Sequence, residues 1–304
     1  MMTSPTHIVC PVDLSSASAR ALEYAVAIAR WYGAEVTVLH VHQMMMLPLM
    51  TVGPYVGPAI PAVLSDAERA QLDAALTHFV LAHTVPAVRV RTALVEDVNV
   101  PAAILSQVDM VRADLIVVGT EGRSGFQRLM LGSVAERVLR KATCPVLTVP
   151  PHASHATLSP NPFREVLCPI DFSASSTAAL QWAASWGAKA GARVTALHVV
   201  EMPPEAADPP LVEYNALRDR LTRDARQTMG SAIPAAIRQL DRVEEHVTVG
   251  RPAGEILRLA EARSADLIVM GVRGRSVVDL AVFGSTTHQV VRRAPCPVLA
   301  VHPE

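Results

Sequence analysis

Along this chain, short apolar runs alternate with longer segments whose apolar residues recur at helical spacing. In the first half the pattern predicts strands near 7–12, 35–41, 87–95, 114–118 and 145–149. It predicts helices near 16–32, 65–83, 100–111 and 133–141. In the second half the strands fall near 165–170, 193–200, 243–249, 266–270 and 297–301. The helices fall near 174–190, 211–231, 253–262 and 285–293. Regular β-α alternation implies a parallel sheet with helices on both faces and right-handed crossovers. The expected fold class is α/β, with two tandem doubly wound, Rossmann-like domains of five strands each. The boundaries read as 1–150 and 164–304, joined by a linker at 151–163 that is rich in Pro, Ser and His and lacks periodicity. Residues 43–62 read as an apolar, Pro/Gly-rich loop that covers a site or a partner surface.

The two halves are copies. Residues 113–149 align without gaps to 265–301 at an offset of 152, and HIVCPVDLSS at 7–16 resembles EVLCPIDFSA at 165–174 at an offset of 158. The change of offset places six extra residues in the first half, between its second strand and third helix. A period this long marks a duplicated domain and not a solenoid repeat.

One pattern inside the repeat carries chemistry. G-x2-G-x9-G-S occurs as Gly119, Gly122, Gly132, Ser133 and again as Gly271, Gly274, Gly284, Ser285. Each copy follows an apolar run and precedes a helix. Glycines let backbone N–H groups approach an oxygen-rich ligand, and a helix N-terminus adds unpaired donors and the positive end of a dipole. A doubly wound sheet takes its ligand beyond the carboxyl ends of the strands, where strand order reverses. Asp13 and Asp171, just after the first strand of each half, would face the same crevice as the glycine loops. They could equally cap the helices that follow. Ser133 with Glu136 reads as a capping box, which Ser285 lacks because His288 stands in place of the acid. Val98 stands where the second half has Gly250, so a narrower pocket is expected in the first half.

Composition narrows the classes. At 304 residues, half of them hydrophobic, each half can bury its own core. Net charge is −1, and no basic stripe exists to follow a phosphate backbone, so nucleic acid is not an expected partner. No apolar stretch is long enough to span a bilayer, and no signal peptide is read at the N-terminus, so a cytoplasmic location without membrane contact is expected. The cysteines form repeat-equivalent pairs, Cys10 with Cys168 and Cys144 with Cys296. They lack metal-ligand spacing and read as small buried residues.

Pro11-Val12-Asp13-Leu14-Ser15, Leu39-His40-Val41, ADLIVVG and the glycine motif together look like the universal stress protein family. The second half repeats the set with Pro169-Ile170-Asp171-Phe172-Ser173, Leu197-His198-Val199 and ADLIVMG. The resemblance covers nearly the whole chain and implies a tandem member. It implies strand order 3-2-1-4-5 and an adenine nucleotide, usually ATP, with Mg as a candidate companion. Asp13 would hold the ribose or adenine edge, the Val41 backbone would meet the adenine, and Gly119, Gly122, Gly132 and Ser133 would surround ribose and phosphates. Pro11, Val12, Val118, Arg123 and Val134 complete the first candidate site. The second comprises Pro169, Ile170, Asp171, Val199, Met270, Gly271, Gly274, Arg275, Gly284, Ser285 and Thr286. Arg123, Arg128, Arg273 and Arg275 are either phosphate partners or solvated loop charges. Family members pair through their last strands, which implies an internal pseudo-dimer through 145–149 and 297–301 and is compatible with a homodimer.

The expected function is a cytoplasmic ATP-binding stress-response or signalling protein whose nucleotide sets its conformation and partners. A weak ATPase or nucleotide-transfer enzyme is one alternative. A nucleotide-free dimerisation module is the other. No Walker A lysine, H-E-x-x-H or G-x-S-x-G pattern is present, so no catalytic residues are assigned. His40, His42 and Met44 to Met46 invite a copper reading, but His198 repeats His40 inside a strand, which favours a structural role; no metal is expected.

Overall fold

The computed structural model describes residues 4–48, 51–52, 55–56, 59–122, 131–154, 162–202, 211–234, 237, 242–272 and 284–302. The first half runs β1 (His7–Pro11), α1 (Ser16–Tyr32), β2 (Glu35–Gln43), α2 (Asp66–His83), β3 (Arg89–Asp97), α3 (Val100–Val111), β4 (Leu115–Gly119), α4 (Ser133–Lys141) and β5 (Val146–Val149). The second runs β6 (Glu165–Pro169), α5 (Ala174–Ala190), β7 (Arg193–Val200), α6 (Leu211–Ala232), β8 (Val243–Val249), α7 (Pro252–Ala262), β9 (Leu267–Gly271), α8 (Ser285–Arg293) and β10 (Val298–Val301). The predicted elements all form, with ends shifted by one or two residues. Within each half the strands are parallel and ordered 3-2-1-4-5.

The halves share one ten-stranded sheet, β3-β2-β1-β4-β5-β10-β9-β6-β7-β8. β5 and β10 meet antiparallel, with Thr148 opposite Val298, Leu147 opposite Leu299 and Val146 opposite Ala300. Thr148 is fully buried, and its hydroxyl donates to the Val298 carbonyl at 3.2 Å. Both strands are buried throughout, because helices cover both faces of the sheet. Leu147 and Leu299 join the core beneath α1 and α5, while Val146 and Val298 join the core beneath α3, α4, α7 and α8. Each core therefore crosses from one half into the other.

Local rules explain the ends of the helices over the first core. Ser15 caps α1, and the Ser18 amide donates to its hydroxyl at 3.2 Å. Gly33 ends α1 at φ 72°, and Gly191 ends α5 at φ 63°. Between these helices lies an aromatic cluster. Phe163 stacks on Trp186 at 5.5 Å, Trp31 meets Trp186 at 6.1 Å, and Trp182 meets Trp186 at 5.6 Å. The ammonium of Lys189 sits 4.6 Å from the Tyr32 ring centroid. Phe163 is fully buried although it closes the polar linker.

Residues 43–62 depart from the loop expectation. Met46–Pro48 pairs antiparallel with Ala59–Pro61, and Thr51–Val52 pairs with Tyr55–Val56. Two short ribbons thus continue from β2, in a segment whose prolines argue against strands. Residues 44–65 in the first half stand opposite 201–210 in the second, so the first half is longer before α2, and the second half recovers part of that length between α6 and β8. Among the described residues, no helix is long and apolar enough to cross a membrane. All four cysteines are free and buried, as their composition suggested. Burial raises each thiol, those of Cys144 and Cys296 to about 12.

Candidate functional site

Strand order reverses between β1 and β4 in the first half and between β6 and β9 in the second. The chain leaves β1 through Asp13 and then Leu14, which adopts a left-handed φ of 63°; Phe172 repeats it at 66°. Left-handed backbone is uncommon for large side chains and concentrates at functional turns. Here it bends the chain back so that Ser15 and Ser173 can cap α1 and α5. The aspartates are therefore not the N-caps. Asp13 Oδ1 accepts from the Ser15 amide at 3.1 Å and from its hydroxyl at 2.5 Å. Asp171 Oδ1 does the same with Ser173, at 3.0 and 2.5 Å. The serine caps the helix and the carboxylate orients the serine.

The glycine loop after β4 reaches this turn. A methyl group at Gly122 would lie 3.2 Å from Asp13 Oδ2. The first glycine of each motif serves packing. A methyl at Gly119 would lie 3.2 Å from the Ala17 carbonyl oxygen, and one at Gly271 would lie 2.7 Å from the Ser175 carbonyl carbon. The third glycine closes the loop. The Gly132 amide donates to the Thr120 carbonyl at 2.8 Å, and the Gly284 amide donates to the Val272 carbonyl at 3.1 Å.

Gly132 and Gly284 are the N-cap residues of α4 and α8, and neither helix carries a side-chain capping bond. The capping box expected at Ser133 and Glu136 therefore does not form, because glycine takes the cap and Ser133 becomes the first helical residue. Ser133 and Ser285 are exposed, and Val134 and Thr286 are half-buried beside them. Thr287 ties the first turn of α8 to the Gly271 carbonyl at 3.0 Å.

The apolar side of the crevice is built from β2 and β4. Val41 and Val134 pack on the same core cluster as Val118, and Val199 packs on it with Met270. Pro11, Val12, Ile170, Val118 and Met270 are buried, and Pro169 is half-buried. The backbone of Val12 is committed: its amide donates to Leu39 at 2.8 Å and its carbonyl accepts from His40 Nδ1 at 2.8 Å. Ile170 is held identically by Leu197 and His198. His40 and His198 are thus structural, and His198 also stacks on Phe172 at 4.4 Å. Among the described residues, no group of three His, Cys, Asp or Glu side chains could hold a metal ion.

Val98 is half exposed and is not at positive φ, whereas Gly250 has φ 157°. The valine is accommodated by a different backbone, one that any residue adopts. Arg123, Arg128, Arg273, Gly274 and Arg275 lie outside the described residues. The left-handed Leu14 and Phe172 were not anticipated; the only signal was their repetition after the same aspartate. Two cavities lie elsewhere. One of about 270 Å³ is lined by Gly187, Gly191, Val194 and Arg242, and one of about 410 Å³ by Asp66, Arg69, Asp73 and Leu94.

A chain that repeats this strand-end turn and this glycine-capped helix start has relatives. The family model described as "Universal stress protein family" matches residues 5–150 and again 162–302. The chain belongs to the universal stress protein family. A universal stress protein of Mycolicibacterium smegmatis is 26% identical over 309 residues, covering 100% of both chains. One from Methanocaldococcus jannaschii is 36% identical over 148 residues, covering 47% of this chain and 80% of its own. Among solved structures, a universal stress protein from Archaeoglobus fulgidus superposes with a TM-score of 0.63 at 24% identity, over 99% of this chain and 97% of that one. At that identity the likeness carries the fold, and this universal stress protein shares it from end to end.

Proposed function

We propose that this universal stress protein binds an adenine nucleotide, ATP first, in each half. The bound nucleotide would set the conformation that partners read, in a stress or signalling role in the cytoplasm. The observation that carries the reading is the meeting of Gly122 with Asp13, in a loop that the Gly132–Thr120 bond ties to the start of α4, a helix with no side-chain cap. A carboxylate suits ribose hydroxyls, which donate. Exposed helix amides suit phosphate oxygens, which accept. The glycine leaves room between them that a side chain would fill.

In this reading Asp13 and Asp171 accept from the ribose, and the ends of β2 and β7 at Val41 and Val199 flank the base. Gly132 with Ser133 and Gly284 with Ser285 receive the phosphates. Arg123 and Arg275 add charge from the loops. Val12, Ile170, Val118 and Met270 act from behind, by shaping the wall.

The test is direct. Purified full-length chain is denatured, and released nucleotide is identified and counted; the stripped chain is then titrated with ATP by calorimetry. Up to two ATP per chain is expected. No released nucleotide and no heat of binding would overturn the reading in favour of a nucleotide-free dimerisation module.

A further inference from the structure

The seam between the halves carries two contacts that the repeat does not supply. His152, just past β5, donates from Nε2 to the carbonyl of Ala294 at 3.2 Å. Ala294 is the C-cap of α8, in the other half. His302, just past β10, donates from Nε2 to the carbonyl of Leu139 at 3.0 Å. Leu139 lies in the last turn of α4, again in the other half. Carbonyls at a helix C-terminus lack partners within the helix, and an imidazole N–H is a suitable donor for them.

These histidines are not copies of one another. The repeat places Pro150 opposite His302 and Glu304 opposite His152. Two unrelated positions therefore bring an imidazole to the tail of the opposite helix. Each such helix begins at the other half's glycine-serine step, Gly132-Ser133 or Gly284-Ser285.

Each clasp is also tied to its own glycine loop. The Thr120 amide, in the loop after β4, donates to the carbonyl of Val149 at 3.0 Å, and Val149 ends β5. From Val149 the chain passes through Pro150 and Pro151, a stiff connection, to His152. The Val272 amide likewise donates to the carbonyl of Val301 at 2.9 Å, one residue before His302. The path from the first glycine loop thus ends on the helix that forms the second phosphate end, and the reverse path is equally short.

We propose that the two nucleotide sites are energetically coupled through this reciprocal histidine clasp. The inference rests on the nucleotide reading above. The bistable contact is the imidazole on or off the helix carbonyl. Nucleotide in one loop shifts the end of the adjoining strand, and with it the seating of the other half's helix. Linkage requires the effect to be mutual.

The test uses full-length chain and ATP. Affinity of the second half is measured in a Gly122→Val chain and that of the first half in a Gly274→Val chain, and the product of the two single-site constants is compared with the overall two-site constant of the unaltered chain. A difference of about fivefold or more is expected, the lower range for coupled sites. In a chain carrying His152→Ala and His302→Ala the two values should coincide. His152→Gln with His302→Gln, which keeps an N–H donor, should restore part of the difference. Thermal melts confirm that each variant is folded.

Independent sites in the unaltered chain would overturn the clasp and leave the nucleotide reading standing. Coupling that survives loss of both imidazoles would also overturn the clasp. Absence of ATP binding in every chain would overturn the nucleotide reading, and the clasp with it.

Discussion

Phe163 stacks on Trp186 beside the seam between the halves, with ring centroids 5.5 Å apart and planes 16° from parallel. Phe163 closes the polar linker and lies at the very start of the second copy, whose family match begins at residue 162. It is nonetheless fully buried, and Trp31, from the first half, meets its ring edge-on at 6.4 Å. The end of the segment that joins the halves is therefore part of their shared core.

Phe163→Ala should lower the stability of the whole chain by about 3–5 kcal/mol, the usual range for removing a buried phenyl ring. Because the cores cross the seam, both halves should lose stability together. The three tryptophans, Trp31, Trp182 and Trp186, all lie in this cluster, so intrinsic fluorescence reports on it. Urea unfolding followed by fluorescence and by circular dichroism should give one shared transition at lower urea. Two separate transitions would show that the halves unfold apart.

The two packing glycines should respond unequally. A methyl at Gly271 would press on the Ser175 backbone at 2.7 Å, which cannot swing aside as a flexible side chain can. A methyl at Gly119 would meet the Ala17 carbonyl at 3.2 Å, a contact that a small shift relieves. Gly271→Ala should cost about 1–3 kcal/mol, as overpacking does. Gly119→Ala should cost less. Thermal melts of the two variants decide the order.

Ser15→Ala should have two effects. Loss of the cap costs α1 about 1 kcal/mol. Loss of the 2.5 Å hydroxyl contact removes one of the bonds that orient Asp13 beside Gly122 and leaves the one from the Ser15 amide. ATP affinity of the first half should fall, while Ser15→Thr, which keeps the hydroxyl, retains most of it. Calorimetry in a Gly274→Val background reads the first half alone.

The carboxyl of Asp266 is pushed up to about 6, chiefly by burial, although the amides of Arg164 and Glu165 donate to it. Between its unfolded value near 4 and its folded value near 6, the folded chain holds more protons than the unfolded one. Its contribution to stability is full below about 4 and is lost as pH rises through about 6. The stability difference between the unaltered chain and Asp266→Asn should therefore shift against the former across that window and level off above it. Urea midpoints at several pH values would show this, and a flat difference would contradict it.

Much of the fold was legible because two signals agreed. Apolar periodicity separated strand from helix, and the repeat showed each pattern twice. The strand-end carboxylate and the glycine loop were legible for the same reason. The ribbons at 46–61 were not, since Pro48 and Pro61 argue against strands. Phe163 was not, because it sits in a polar linker. Leu14 and Phe172 were not, because neither residue type favours left-handed backbone. The cap at α4 went to Gly132 and not to Ser133, since glycine is also an acceptable N-cap and the capping-box pattern fits one residue away.

The antiparallel pairing of β5 with β10 leaves β3 and β8 as the two rims of the large sheet. It also makes each half the guard of the other's stickiest edge. A half set free by cleavage in the linker would present a short, largely apolar strand with its backbone groups open to any similar strand. The natural replacement is the matching strand of another chain. Cutting the connection between Ser154 and Pro162 should thus convert an intramolecular partnership into exchange between molecules. The halves would stay together while the seam held and would trade partners or aggregate once it opened. The linker acts less as a spacer than as a tether that keeps the correct partner always nearest.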